Sequence, residues 1–114
     1  MPPKRTAYDE WAERLPHVAP QRIGERLEAV REMCGLGKAE FARRAKVTPS
    51  HYSNLLAGTN TLPVYHLASF AATYRITMDF IVLGDLSGLP HSIHDDVAAR
   101  LHTATRKNSS RRTP

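Results

Sequence analysis

Cysteine is almost missing from this chain of 114 residues, with Cys34 standing alone. One thiol builds neither a disulfide framework nor a multi-cysteine zinc site within a single chain, so a reducing cytosol is the expected compartment. Long apolar runs are missing too. No window approaches the roughly 18 apolar residues of a membrane span, and the opening MPPKRTAYDEW lacks the apolar stretch of a secretory signal. Size is the third shortage. A chain this short builds one modest core and has little volume left for a deep pocket and the shell that positions catalytic groups. An enzyme, a cofactor and a resident metal are therefore not expected.

Dense charge is also lacking. The formal charge is +5 and the pI is near 9.8, which favours a polyanionic partner. Residues 23–84 carry seven Lys/Arg against five Asp/Glu, and residues 85–114 carry five against three. No basic block exists, so a site for nucleic acid has to come from geometry.

What is present is helical periodicity, with no strand-like alternation and no internal repeat. The ends read as loose: an arm over 1–20 with four prolines and a short stretch, YDEWAERL, that sets Trp11 and Leu15 on one face, and a polar cationic tail over 106–114 read as disordered. Between them, 21–85 reads as one compact domain of five helices. In the first, RIGERLEAVREMC, Ile23, Leu27, Val30 and Cys34 form the apolar stripe, with Arg26, Glu28, Arg31 and Glu32 opposite. Gly35 suits its end, Gly37 an N-cap, and Glu40 the first turn of a second helix from Lys38 to Ala45 that buries Phe41, Ala42 and Ala45.

The third helix has the clearest punctuation. Thr48 is an N-cap type, Pro49 fits the first helical position, Tyr52, Leu55 and Leu56 form the apolar face, and Gly58 closes it. A polar loop leads to Pro63 and a fourth helix with Val64, Leu67, Ala68, Ala71 and Tyr74 in register, then Thr77 caps a short fifth, MDFIVL, before Gly84. A further helix is expected within 86–105. Its start, HSIHDD, carries metal-ligand chemistry in His91, His94, Asp95 and Asp96, with His102 beyond, but reads better as helix initiation with Ser92 as cap and Asp95 as capping partner. Ile93, Val97 and Leu101 form a stripe that packs either on the domain or on a second subunit.

The run LGKAEFARRAKVTPSHYSNLLAGTNTLPVYHLASFAATYRITMDFIVLG resembles the helix-turn-helix domain of the lambda-repressor/Cro (Xre) family, from about Ile23 to Gly84. The likeness is carried by Ala42 inside the second helix, Val47 in the turn, Thr48, Tyr52, Leu55, Gly58, Pro63 and the ending ITMDFIVLG. Two positions depart from the family pattern. Lysine stands at 38 where glutamine is usual, and lysine at 46 where glycine is common. The second departure implies either a left-handed residue costing about 1–2 kcal/mol or a different turn.

The resemblance implies double-stranded DNA as partner. A major groove is about 12 Å wide, close to the diameter of one helix, so the third helix can pack by one face and read base edges with the other. On that face stand Pro49, Ser50, His51, Ser53 and Asn54. Asn54 can pair bidentately with adenine, worth roughly 1–3 kcal/mol of discrimination, and His51 can donate to guanine N7 or a phosphate. The resemblance further implies phosphate contacts from Lys38 and from Thr59, Asn60 and Thr61, helped by free N–H groups at helix starts. Adjacent residues on a helix point about 100° apart, so Ser50 and His51 do not make a catalytic pair.

The function expected is a sequence-specific transcriptional regulator of bacterial or phage type, acting as a repressor. It would bind a palindromic operator as a homodimer that pairs through Ile93, Val97 and Leu101 or through the helix holding Phe80 and Ile81. The alternative is an antitoxin or partner-binding protein that uses the same domain on its own operator.

Overall fold

The computed structural model describes residues 14–112, with side chains from 14 to 103 apart from residue 17. All but the last two residues of the stretch around Trp11 lie outside them. The described residues contain helices and no strand: a 3-10 turn (Pro16–Val18), α1 (Pro20–Cys34), α2 (Lys38–Arg44), α3 (Pro49–Leu56), α4 (Val64–Tyr74), a π-helical turn (Asp79–Leu83) and α5 (His91–Arg112). The π turn is the expected fifth helix. The Thr77 hydroxyl caps it by accepting from the Phe80 N–H at 3.0 Å.

α1 starts at Pro20, whose missing N–H costs nothing in a first turn. Ile23, Leu27 and Val30 are buried as their spacing predicts. Cys34, expected on the same stripe, is exposed, because the helix outruns the core at its last residue and Met33 packs there instead. Arg26 corrects the expectation in the other direction. Placed by periodicity on the solvent face, it is 7% exposed, and its guanidinium donates to the carbonyls of Ile81 at 3.0 Å and Val82 at 3.1 Å. Those carbonyls end the π turn, where no following residue supplies an N–H, and the five-donor fork of an arginine reaches two at once. Burial lowers the Arg26 pKa, opposed by Glu25 and reinforced by Arg22. Gly84 gives room for this arrangement: its φ is 79°, and a Cβ there would stand 3.1 Å from the guanidinium.

The centre of the core is aromatic. Phe41 of α2 lies 5.5 Å from Tyr52 of α3, 5.2 Å from Phe70 and 4.4 Å from Tyr74 of α4, ring centre to ring centre. The Tyr74 hydroxyl donates to the Phe41 carbonyl at 2.6 Å, and the Ser69 hydroxyl donates to the Ala45 carbonyl. These bonds tie α4 to the C-terminal part of α2. They also turn α4 relative to its expected stripe. Leu67 and Phe70 are buried, while Val64 and Ala68 face solvent, since the larger Phe70 ring fills the space between Phe41 and Tyr52. Lys46 does adopt the left-handed conformation, with φ 61° in the α2–α3 turn, and Arg75 at φ 55° repeats it after α4.

α5 packs on its own domain. Val97 is fully buried, and Ile93 and Leu101 rest against the same core. Arg100 bridges to Asp96 within the helix at 2.7 Å and reaches Glu32 of α1 at 3.6 Å. Ser92 is not the cap. The Pro90 carbonyl accepts from the N–H groups of Ile93 and His94 at 3.0 and 3.1 Å, which starts the helix two residues earlier, at His91, and Asp95 meets the His94 ring at 3.1 Å. The helical backbone continues to Arg112, past the expected boundary at 105 and into the segment read as a disordered tail.

Candidate nucleic-acid interface

α3 is held from inside and at both ends. The Thr48 hydroxyl accepts from the His51 N–H at 3.3 Å, and Pro49 occupies the first helical position. Tyr52 and Leu55 are 1% and 0% exposed, with Leu56 packed beside them. Gly24 of α1 lets the two helices close up: a Cβ there would lie 3.0 Å from Leu56 Cδ2 and 3.5 Å from its Cα. At the far end both the N–H and the hydroxyl of Thr59 donate to the Asn54 carbonyl, at 3.1 and 2.9 Å.

With its inner face and its ends occupied, α3 turns Ser50, His51, Ser53 and Asn54 to solvent, with Pro49 half-buried at the edge. The side chains of Ser50, Ser53 and Asn54 have no hydrogen-bond partner among the described residues. Polar groups in that state pay no internal cost when they exchange water for a base edge. The His51 ring lies 5.8 Å from the ring of His66 in α4, and Tyr65 meets His66 edge-on at 4.5 Å. His66 Nδ1 is buried without a hydrogen-bond partner among the described residues.

The residues expected around α3 fall into three groups. Lys38, Asn60 and Thr61 are exposed, and the Lys38 ammonium stands 3.7 Å from the Glu28 carboxylate. Thr48 is exposed but spends its hydroxyl oxygen on the helix cap. Thr59 is also exposed, yet its hydroxyl proton is already given to Asn54, so only its lone pairs remain for a partner.

The sequence left two features of this surface unread. Val64 and Tyr65, at the start of α4, are 72% and 69% exposed, and Tyr65 adjoins the outer face of α3 through His66 and His51. The signal was available: two large residues in succession after Pro63 cannot both point into a core when neighbours on a helix diverge by about 100°. Glu28 is the other. It accepts from the Tyr52 hydroxyl at 3.1 Å and from Arg31, and no local pattern announces a contact across 24 residues. Burial and the Glu28 charge hold the Tyr52 phenol far above its usual pKa, so it stays a donor.

No curated protein and no solved structure matches the chain. A family model described as a helix-turn-helix domain matches residues 22–79, which takes in α1 to α4, the capped α3 with its open polar face, and the residues up to the first of the π turn. A supporting helix, a left-handed turn and a second helix seated by one face are the parts such a domain requires, and on this match the chain belongs to the helix-turn-helix domain family, the domain of DNA-binding regulators.

Proposed function

We propose that the protein is a sequence-specific transcriptional regulator, a repressor of the lambda-repressor/Cro (Xre) kind, that lays α3 in the major groove of an operator. The observation that carries this is the outer face of α3, where Ser50, Ser53 and Asn54 have no hydrogen-bond partner among the described residues, on a helix whose other face and both ends are fixed. Asn54 is the main base reader, His51, Ser50 and Ser53 add contacts, and Lys38, Asn60 and Thr61 hold phosphates. Tyr65 flanks the groove from α4. Its exposed ring favours a sugar–phosphate edge, which presents both apolar and polar surface.

The regulator acts as a homodimer on a palindrome with half-sites about 34 Å apart. Phe80, Ile81 and Val97 are fully buried within one chain, which leaves Leu83, 51% exposed on the π turn, as an apolar contact for the second copy.

Selection of bound duplexes from a random pool tests the function, with a salt titration of the winning sequence. The expected result is a palindromic site. Asn54→Ala should lose about 1–3 kcal/mol of preference at one position of each half-site. Lys38→Ala should weaken all duplexes alike and lower the salt slope by about 0.9. Enrichment of no sequence at moderate salt sinks the proposal.

A further inference from the structure

Beneath the outer face of α3 lies a carboxylate that no base contact explains. The Glu28 side chain, on α1, is 20% exposed. One of its oxygens accepts from the Tyr52 hydroxyl at 3.1 Å and from Arg31 Nε, and the other lies 3.7 Å from the Lys38 ammonium. A second nitrogen of Arg31 donates to the Leu36 carbonyl at 2.8 Å, in the loop that leads to α2. One carboxylate thus holds the inner face of α3, the loop before α2 and the cation at the first residue of α2.

We infer that Glu28 is a positioning residue that sets the Lys38 ammonium in place for a phosphate oxygen and fixes that place relative to α3. The inference rests on the DNA-binding function proposed above. An ammonium has three donors, so it can keep Glu28 on one side while a phosphate takes another. Arg31 and Lys38 share the Glu28 carboxylate, and Arg31 also stands 4.0 Å from Glu32, so Glu28 is not spent on Lys38 alone and the ammonium keeps attraction for an incoming phosphate. Lysine is otherwise among the side chains that lose most rotamer freedom when fixed. Holding it beforehand removes that loss from the binding step. Register follows as well: the phosphate contact and the base-reading face move together, because the same carboxylate grips Tyr52.

The test is a double-mutant cycle on the full chain with the duplex recovered by selection, at fixed salt, comparing wild type, Glu28→Gln, Lys38→Met and both together. With Lys38 present, Glu28→Gln should weaken binding by about 3- to 10-fold. With Lys38 already replaced, the same change should cost less than about 2-fold. The salt slope should fall by about 0.9 in Lys38→Met and stay unchanged in Glu28→Gln. Equal weakening in both backgrounds overturns the inference, since Glu28 then only supports the fold. Tighter binding overturns it as well, since Glu28 then only repels phosphate.

Carbon relaxation at the lysine ε-methylenes of the DNA-free wild type supplies a second arm that needs no variant to fold. Lys38 should be more ordered than the exposed Lys46, and equal mobility overturns the inference. A wild-type chain that retains no duplex at low salt overturns the DNA-binding function itself, whereas failure of the inference leaves wild-type binding intact.

Discussion

α3 and α5 are both amphipathic helices seated on α1, yet they treat their polar faces in opposite ways. On α5 most of the polar side chains among the described residues are engaged: Arg100 with Asp96 and Glu32, His94 with Asp95, and the Thr103 hydroxyl with the Ala99 carbonyl. On α3 the fixing is done by the ends and the inner face, and the side chains of Ser50, Ser53 and Asn54 have no hydrogen-bond partner among the described residues. A helix that completes its own polar contacts serves to cover a core. One that is anchored elsewhere and keeps polar groups open is prepared for a partner, because those groups have nothing to give up on binding.

The largest effect that can break this comparison is at the inner face of α3. Leu55→Ala should cost about 2–5 kcal/mol, since Leu55 is fully buried and truncation leaves a cavity; a denaturant titration measures it. If the loss is below that range, α3 is not seated as described. The corresponding change on α5, Val97→Ala, should cost about 2 kcal/mol from lost burial and a small cavity. A negligible effect would mean that α5 does not cover α1 in solution.

The third effect is alkaline. The Tyr52 phenol is raised above its ordinary value of 10 by burial and by Glu28. A raised folded pKa gives stability that is complete below pH about 10 and is lost as the unfolded chain ionises above it, at up to about 1.4 kcal/mol per pH unit. Melting temperature against pH should fall in that window, and Tyr52→Phe should flatten the fall while removing the bond to Glu28. A slope that Tyr52→Phe leaves unchanged would place the titration elsewhere. Smallest are the outer faces. Arg100→Ala should cost at most about 1 kcal/mol, and less at high salt, because its bridges are largely exposed. Asn54→Ala should leave stability within about 0.5 kcal/mol. A larger loss at Asn54 would show its side chain serving the fold and would remove the contrast with α5.

The outline of α3 was legible before any coordinates, residue by residue. Thr48 caps, Pro49 starts, Tyr52 and Leu55 go inward, and Ser50, His51, Ser53 and Asn54 go outward, each a consequence of neighbours within one helical turn. At Lys46 the family pattern left two readings open, a left-handed residue or a different turn, and the backbone took the first. α4 was read in part: Leu67, Ala71 and Tyr74 pack on the core as expected, while Val64 and Ala68 face solvent. Its alanines and aromatics give a weak stripe, and the ring of Phe70 took the inside by fitting between Phe41 and Tyr52. Ser92 was displaced as a cap because the Pro90 carbonyl, two residues nearer the loop, closed the first turn.

By itself the sequence determined the order of the helices from α1 to the π turn, the ends of α3 and the two faces of α3. Those properties arise from periodicity and capping, which act over three or four residues. The tertiary structure decided which polar groups are spent and which are left open. Arg26 is consumed on carbonyls 55 and 56 residues away, and Glu28 is fixed by a hydroxyl 24 residues along. Ion pairing and burial answer to whatever the fold brings alongside, at any separation in the chain. The same cause seated α5 on its own domain and left the outer face of α3 as the surface with polar groups to offer.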